Sequence, residues 1–254
     1  MKLKGMATHS VSIFYPCYND WGTMGSMVLF TMRTAEKLHL DYDLTIVDDG
    51  SGPQTQDILA EIVQRFPDIN IIHHGKNRGY GGALRSGFAA AMKEWIFYTD
   101  GDSQYDVREL EVLLEKAGPD VDLVQGYKIQ RHDPMHRIII GRLYHWFVKI
   151  AFNIPVRDTD CDFRLLRRSM FDTIELTSDS GVICVEMMRK ISKAGFRIVE
   201  VPVHHYQRAH GKSQFFNYPR LVRVARQLAS LWVREVLLRK SDKASAKSGD
   251  AGEI

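Results

Sequence analysis

Short apolar runs alternate along the chain with longer segments in which apolar residues recur every third or fourth position. The runs at 10–15, 44–47, 69–73, 95–99, 121–125, 163–166 and 196–203 predict strands. The periodic segments at 24–40, 54–66, 80–93, 107–117, 137–152, 182–194 and 218–240 predict helices. Strands alternating with crossover helices describe an α/β protein with a mostly parallel, Rossmann-like sheet covered on both faces. Such sheets bind ligands outside the carboxyl ends of their strands. Three polar clusters fall at such ends: residues 16–20, 48–51 and 100–104. No internal repeat interrupts the pattern. It is read as one domain over residues 1–240, followed by a small, polar tail at 241–254 that is expected to be disordered.

Two helical segments in the second half are amphipathic. In 137–152, Arg142, His145 and Lys149 share one face. In 218–240 an apolar stripe runs through Leu221, Val224, Leu228, Leu231 and Trp232, decorated by Arg220, Arg223, Arg226, Arg234 and Arg239. Apolar faces flanked by basic residues suit a membrane surface. The same pattern suits packing on the chain's own core or on a second subunit.

Composition narrows the class. The 254 residues are 44% hydrophobic and 26% charged, which excludes disorder over the whole chain. A formal net charge of +3 is too mild for a dedicated nucleic-acid binder. Cys17, Cys161 and Cys184 are too far apart for a zinc ribbon or a disulfide framework, and so sparse a count fits a reducing compartment. The N-terminus lacks a signal peptide's apolar core, and no apolar run is long enough to span a bilayer. The expected location is the cytoplasm, with contact to the cytoplasmic face of a membrane left open.

Asp100-Gly101-Asp102-Ser103-Gln104 is the sharpest chemical signal. Two carboxylates two residues apart after a strand can grip a divalent cation that also bridges phosphates. Gln104 adds a neutral oxygen, and Gly101 lets backbone approach a ligand closely. A solvated turn explains the same residues as well. An EF-hand does not, because Tyr105 stands where that loop requires Gly and a strand rather than a helix precedes it. Asp48-Asp49-Gly50-Ser51 can accept hydrogen bonds from a base edge or ribose, or simply form a tight turn. Asn77-Arg78-Gly79-Tyr80-Gly81-Gly82 opens a helix but fails the GxGxxG pattern at Leu84. Its amides could hold a phosphate, or its glycines could serve close packing.

Asp158, Asp160 and Asp162 lie beside Arg157 and Arg164. They could supply a general base, orient an acceptor, or form an ion-pair network. Cys161 has no adjacent His and is a poor nucleophile. Arg208 with Lys212 and Ser213 has the make-up of an anion clamp on a loop, or of a solvated basic loop. His73-His74 and His204-His205 cannot easily chelate one ion, because adjacent strand residues point to opposite faces.

Taken together, Pro16 to Asp20, Val47 to Ser51 and Asp100 to Gln104 resemble the family 2 glycosyltransferases with a GT-A fold. Asp158 to Arg164, Glu186, Val199 to Val203, and Arg208 with Gly211-Lys212-Ser213 are similar to the branch that transfers sugars to polyprenyl or dolichyl phosphate. The resemblance spans about residues 10 to 215. It implies a nucleotide-sugar half at 8–126, an acceptor half at 127–215 and an amphipathic helix at 216–240. Pro16, Tyr18, Asp20, Asp48, Asp49, Ser51, Gly79 and Gly101 would line the nucleotide-sugar pocket. Asp100, Asp102 and Gln104 would hold Mg²⁺ or Mn²⁺. Asp158, Asp160 and Arg164 would serve catalysis. Arg131, Arg164, Arg208, Lys212 and Ser213 would face a phosphate. The chain departs from the family at Asp20, Cys161-Asp162 and Gln214, where Glu, Ser-Gly and Lys are common.

The resemblance implies an inverting, metal-dependent transfer of one sugar from a UDP- or GDP-sugar to a polyprenyl phosphate. A phosphomonoester is largely ionised at neutral pH and needs aligning cations rather than a base. A hydroxyl acceptor would need one, with Asp158 or Asp160 as the candidate. A non-catalytic nucleotide-sugar binder is the third alternative. A membrane surface and a second copy of the chain are the possible macromolecular partners, and nucleic acid is not.

Overall fold

The structure, a computed structural model, describes residues 9–129, 135–208 and 218–238. Seven strands form one sheet: β1 (Ser10–Cys17), β2 (Asp41–Asp48), β3 (Asn70–His73), β4 (Trp95–Thr99), β5 (Leu123–Lys128), β6 (Phe163–Arg167) and β7 (Ile198–Val203). Their order is β3-β2-β1-β4-β6-β5-β7. β1, β2, β3 and β4 pair in parallel, and so do β5 and β7. β6 runs antiparallel to both β4 and β5. The carboxyl ends of the other strands therefore share one edge with the residues that precede β6.

Helices cover both faces: α1 (Trp21–Lys37), α2 (Pro53–Arg65), α3 (Tyr80–Ala90), α4 (Leu110–Leu114), α5 (Met135–Phe152), α6 (Val182–Ala194) and α7 (Tyr218–Trp232). Alternate strand residues enter two separate cores. Ile13, Tyr15, Phe97 and Leu165 join Met24, Leu59 and Leu110 on one side. Phe14, Ile96, Tyr98 and Leu166 join Leu84, Val148, Ile183 and Leu231 on the other. Burial on both faces is why the strands read as near-continuous apolar runs.

Boundaries shift where hydrogen bonds outweigh periodicity. α1 starts at Trp21 because the Asp20 carbonyl accepts the amides of Thr23 and Met24. β5 extends to Lys128 because β7 pairs with it to Val203. The helix predicted over 107–117 splits into a 3₁₀ turn at Val107–Glu109, capped by Asp106, and the short α4. The helix predicted over 218–240 becomes α7 and a π-helical turn at Val233–Leu238. Residues 239–240 and the tail at 241–254 lie outside the described residues.

The two amphipathic helices part company. Leu228 and Leu231 of α7 are buried in the second core, and Trp232 Nε1 donates to the Ala151 carbonyl at 3.0 Å. The stripe from Val224 to Trp232 is thus a packing face, one of the alternatives that its amphipathic pattern left open. On α5, His145 and Val148 face inward, with His145 Nδ1 3.1 Å from Thr159 Oγ1. Leu143, Trp146, Phe147 and Ile150 are 62–69% exposed and line an open groove of about 480 Å³.

Candidate active site

Asp100 leaves β4 one residue beyond Thr99, which pairs with Phe163 of antiparallel β6. The same register sets Asp162 opposite Asp100. Opposed residues of an antiparallel pair share a face and approach to about 5 Å between Cβ atoms. The Asp100 carboxyl is pushed well above the usual carboxylate range by burial, then by the charges of Asp162 and Asp102. The Tyr80 hydroxyl donates to Asp100 Oδ1 at 2.6 Å. Burial also raises Asp102, opposed by the Arg208 guanidinium, whose Nη2 donates to Asp102 Oδ2 at 2.6 Å. Arg208 Nη1 lies 3.7 Å from Asp20 Oδ1.

Gly101 is required between these carboxylates. A Cβ there would lie 2.8 Å from the Pro16 carbonyl and 2.9 Å from Met24 Cε. Gln104 ties the site to the chain after β7. Its amide donates to Asp102 Oδ1 at 3.1 Å, and its Nε2 donates to the Tyr206 carbonyl at 3.0 Å.

The chain after β1 and the chain after β2 are laced together beside this cluster. Ser51 Oγ accepts the Asn19 amide at 3.0 Å, and Asn19 Oδ1 accepts the Gly52 amide at 2.9 Å. Tyr18 is exposed at the rim, and its amide donates to Asp20 Oδ2 at 3.2 Å. Asp49 is buried. Its carboxylate accepts the amides of Arg78 at 2.8 Å and Gly79 at 2.9 Å, and meets His74 Nδ1 at 2.7 Å. His74 Nε2 in turn lies 2.9 Å from Ser86 Oγ.

Three expectations are corrected. Asp48 does not line a pocket: it has no exposure, and its carboxylate is occupied by the Ser51 amide, Gln56 Nε2 and His73 Nδ1. Those bonds hold it below the usual range against the upward push of burial. The glycines at 79–81 do not cradle a phosphate. The Gly79 amide goes to Asp49 and the Gly81 amide to the Asp179 carbonyl at 2.9 Å. A Cβ at Gly81 would lie 2.1 Å from the Ser178 carbonyl, so close packing is what these glycines serve. Glu186 fixes that partner loop by accepting the amides of Thr177 and Ser178.

Arg164 does not face a phosphate. It is fully buried, and its guanidinium donates to Gln125 Oε1, Asp162 Oδ1 and the Thr159 carbonyl, each at 2.7 Å, and to the Tyr98 hydroxyl. It positions Asp162 rather than touching solvent. Arg131, Lys212 and Ser213 lie outside the described residues.

Asp158 is buried, with its Oδ1 accepting the Asp160 amide at 3.1 Å. The Asp160 carboxyl is pushed up to about 6 by burial, against the pull of Lys128. Burial pushes the Cys17 and Cys161 thiols up to about 12 and holds Cys184 well above the usual thiol range, so none offers a thiolate. The sequence did not place Asp162 or Tyr80 against Asp100, or His74 against Asp49, because these contacts depend on pairings between distant segments.

These residues fit a hard divalent cation. Carboxylate oxygens are its preferred ligands, and the crowded buried negative charge would be relieved by one. Among the described residues no three His, Cys, Asp or Glu side chains are grouped to hold a metal unaided.

The chain matches the profile of glycosyl transferase family 2 over residues 12–175 and belongs to that family. It is a glycosyltransferase with a GT-A-type fold. It is 26% identical over 226 residues to an undecaprenyl-phosphate 4-deoxy-4-formamido-L-arabinose transferase of Enterobacter sp. (strain 638), covering 88% of this chain and 68% of that one. It is 28% identical over 202 residues to glycosyltransferase AglD of Haloferax volcanii, covering 76% and 32%. The chain thus spans about two thirds of the first relative and about a third of the second.

Among solved structures, glucosyl-3-phosphoglycerate synthase from Mycobacterium tuberculosis superposes with a TM-score of 0.67 at 15% identity, over 89% of this chain and 80% of that one. A mannosyltransferase from Pyrobaculum calidifontis, in complex with GDP-Man and Mn²⁺, superposes with a TM-score of 0.63 at 17% identity, over 98% and 77%.

The Asp160 environment makes stability depend on pH. Its folded value near 6 exceeds the ordinary carboxylate value near about 3.9, so the folded state binds more protons between them. The ionised group therefore costs stability in full above that window and costs nothing below it. Asp160→Asn should be more stable than wild type at pH 7.5 by on the order of 1 kcal/mol in urea titrations. The difference should close on acidification toward pH 4, and a pH-independent difference would contradict the buried setting.

Proposed function

We propose that the protein transfers a single sugar from a UDP- or GDP-sugar to a polyprenyl phosphate, with inversion at the anomeric carbon. The observation that carries this is the Asp100/Asp102 pair at the carboxyl edge of the sheet, with Arg208 beside it. The relatives named for undecaprenyl-phosphate transfer and the neighbours solved with UDP or GDP-Man and Mn²⁺ support it.

Asp100 and Asp102 would hold Mg²⁺ or Mn²⁺ on the donor's diphosphate, with Gln104 adjacent. When bound, the cation neutralises charge developing on the leaving diphosphate. Pro16, Tyr18, Asp20 and Ser51 would form the nucleotide pocket, and Asp49 would shape it by holding residues 78 and 79. The carboxylates are fixed by Tyr80, Gln104 and the register with β6 before any ligand arrives, so little reorganisation is needed.

A hydroxyl acceptor is the second possibility. It is favoured by the Asp160 carboxyl near about 6, a value suited to a general base. Transfer of radiolabelled sugar from a panel of UDP- and GDP-sugars decides between the two. Label should enter organic-extractable polyprenyl phosphate with Mg²⁺ or Mn²⁺ and not with EDTA, and Asp102→Asn should lower the rate at least about 10²-fold. Label confined to water-soluble glycosides would move the acceptor to a hydroxyl. Full activity in Asp102→Asn would overturn the metal assignment.

The acceptor's lipid would be met at the outer face of α5, which we assign to an anionic bilayer surface. Residues 135–152 contain Arg137, Arg142 and Lys149 and no Asp or Glu, and the four exposed side chains follow i, i+3, i+4, i+7 spacing. Among the described residues no helix is long and apolar enough to cross a membrane. Wild type should float with vesicles of anionic lipid, and the double variant Trp146→Glu, Phe147→Glu should stay at the bottom of the gradient. Equal flotation of both proteins, or of neither, would refute the assignment.

A further inference from the structure

The two oxygens of Asp102 are held in different ways. Oδ1 accepts the Gln104 amide within its own turn, at 3.1 Å. Oδ2 accepts Arg208 Nη2 at 2.6 Å. The Asp102 side chain is 6% exposed and that of Arg208 29%, so the guanidinium caps the carboxylate from the solvent side. Its other arm reaches toward Asp20, 3.7 Å away. The chain leading to Arg208 is pinned: the Tyr206 amide donates to the Gln104 carbonyl at 2.8 Å, and Gln104 Nε2 donates back to the Tyr206 carbonyl. Arg164, the other guanidinium of the cluster, is locked to Asp162 and Thr159 and does not share this work.

A divalent cation seeking Asp102 Oδ2 meets this ion pair first. Displacing a guanidinium from a largely buried carboxylate is unfavourable unless the guanidinium finds another anion. A diphosphate is such an anion, and arginine's fork matches phosphate oxygens. A cation arriving alone breaks the pair uncompensated. A cation arriving with a nucleoside diphosphate gives Arg208 a new partner close by.

We propose that Arg208 competes with the divalent cation for Asp102 and passes to the donor's diphosphate when the two ligands arrive together, so that metal and nucleotide bind interdependently. The inference rests on the assignment of Asp100 and Asp102 to the metal. It gives Arg208 a role on the donor side, before any acceptor is present. It also explains why the site keeps a cation between Asp20 and Asp102 while remaining open to a metal.

Mn²⁺ binding measured by electron paramagnetic resonance, with and without UDP or GDP, tests this on the intact chain. Without nucleotide, Arg208→Gln should bind Mn²⁺ about tenfold more tightly than wild type. Nucleotide should raise Mn²⁺ affinity by a clearly smaller factor in the variant than in wild type. Equal or weaker Mn²⁺ binding by nucleotide-free Arg208→Gln would overturn the proposal, as would the same nucleotide enhancement in both proteins. Asp102→Asn separates the two layers. If it abolishes Mn²⁺ binding while Arg208→Gln changes nothing, the metal assignment stands and the role of Arg208 falls. If Asp102→Asn binds Mn²⁺ as wild type does, both fall.

Discussion

The antiparallel passage of β6 between β4 and β5 is the constraint on which the site depends. A parallel strand in that place would send its leading residues to the far edge of the sheet. Running backwards, β6 brings Asp158, Asp160 and Asp162 to the edge where Asp100 leaves β4. Arg164 sits at the centre of this arrangement, fully buried, with donors to β4, β5 and the 159–162 segment. A buried guanidinium is tolerable only when its donors are matched, and removing one partner of such a pair typically costs several kcal/mol. The matching therefore locks three strands and the acid-rich segment into one geometry.

A second brace serves the side of the site proposed for the nucleotide. Glu186 on α6 holds the loop at 177–179, and that loop's carbonyls press against Gly79 and Gly81 at the start of α3. The amides of Arg78 and Gly79 are bound by Asp49, which is backed by His74 and Ser86. Residues from both halves of the chain thus set the position of a single carboxylate. Catalysis by preformed dipoles and charges requires this rigidity, because side chains already in place need not reorganise as charge develops.

Much of this was legible in the chain because its signals are local. Apolar runs found all seven strands, and the polar clusters ending β1, β2 and β4 marked the edge that carries the candidate site. The parallel strands followed from the crossover helices, but the reversal of β6 was not legible, because a period of two reads the same in both directions. With that reversal missing, so was the pairing of Asp162 with Asp100. The expectation that Arg164 faces a phosphate fails because its burial depends on partners contributed by Tyr98 and Gln125, 66 and 39 residues away. α5 and α7 carry similar amphipathic patterns, and only packing showed that one stripe faces the core and the other solvent.

The account turns on a divalent cation held jointly by Asp100 and Asp102. Anomalous scattering from crystals grown with Mn²⁺ and UDP or GDP measures this directly. The account predicts one peak within about 2.5 Å of oxygens from both carboxylates and of a phosphate oxygen. An ordered nucleotide with the Mn²⁺ peak elsewhere, or touching neither carboxylate, would contradict it.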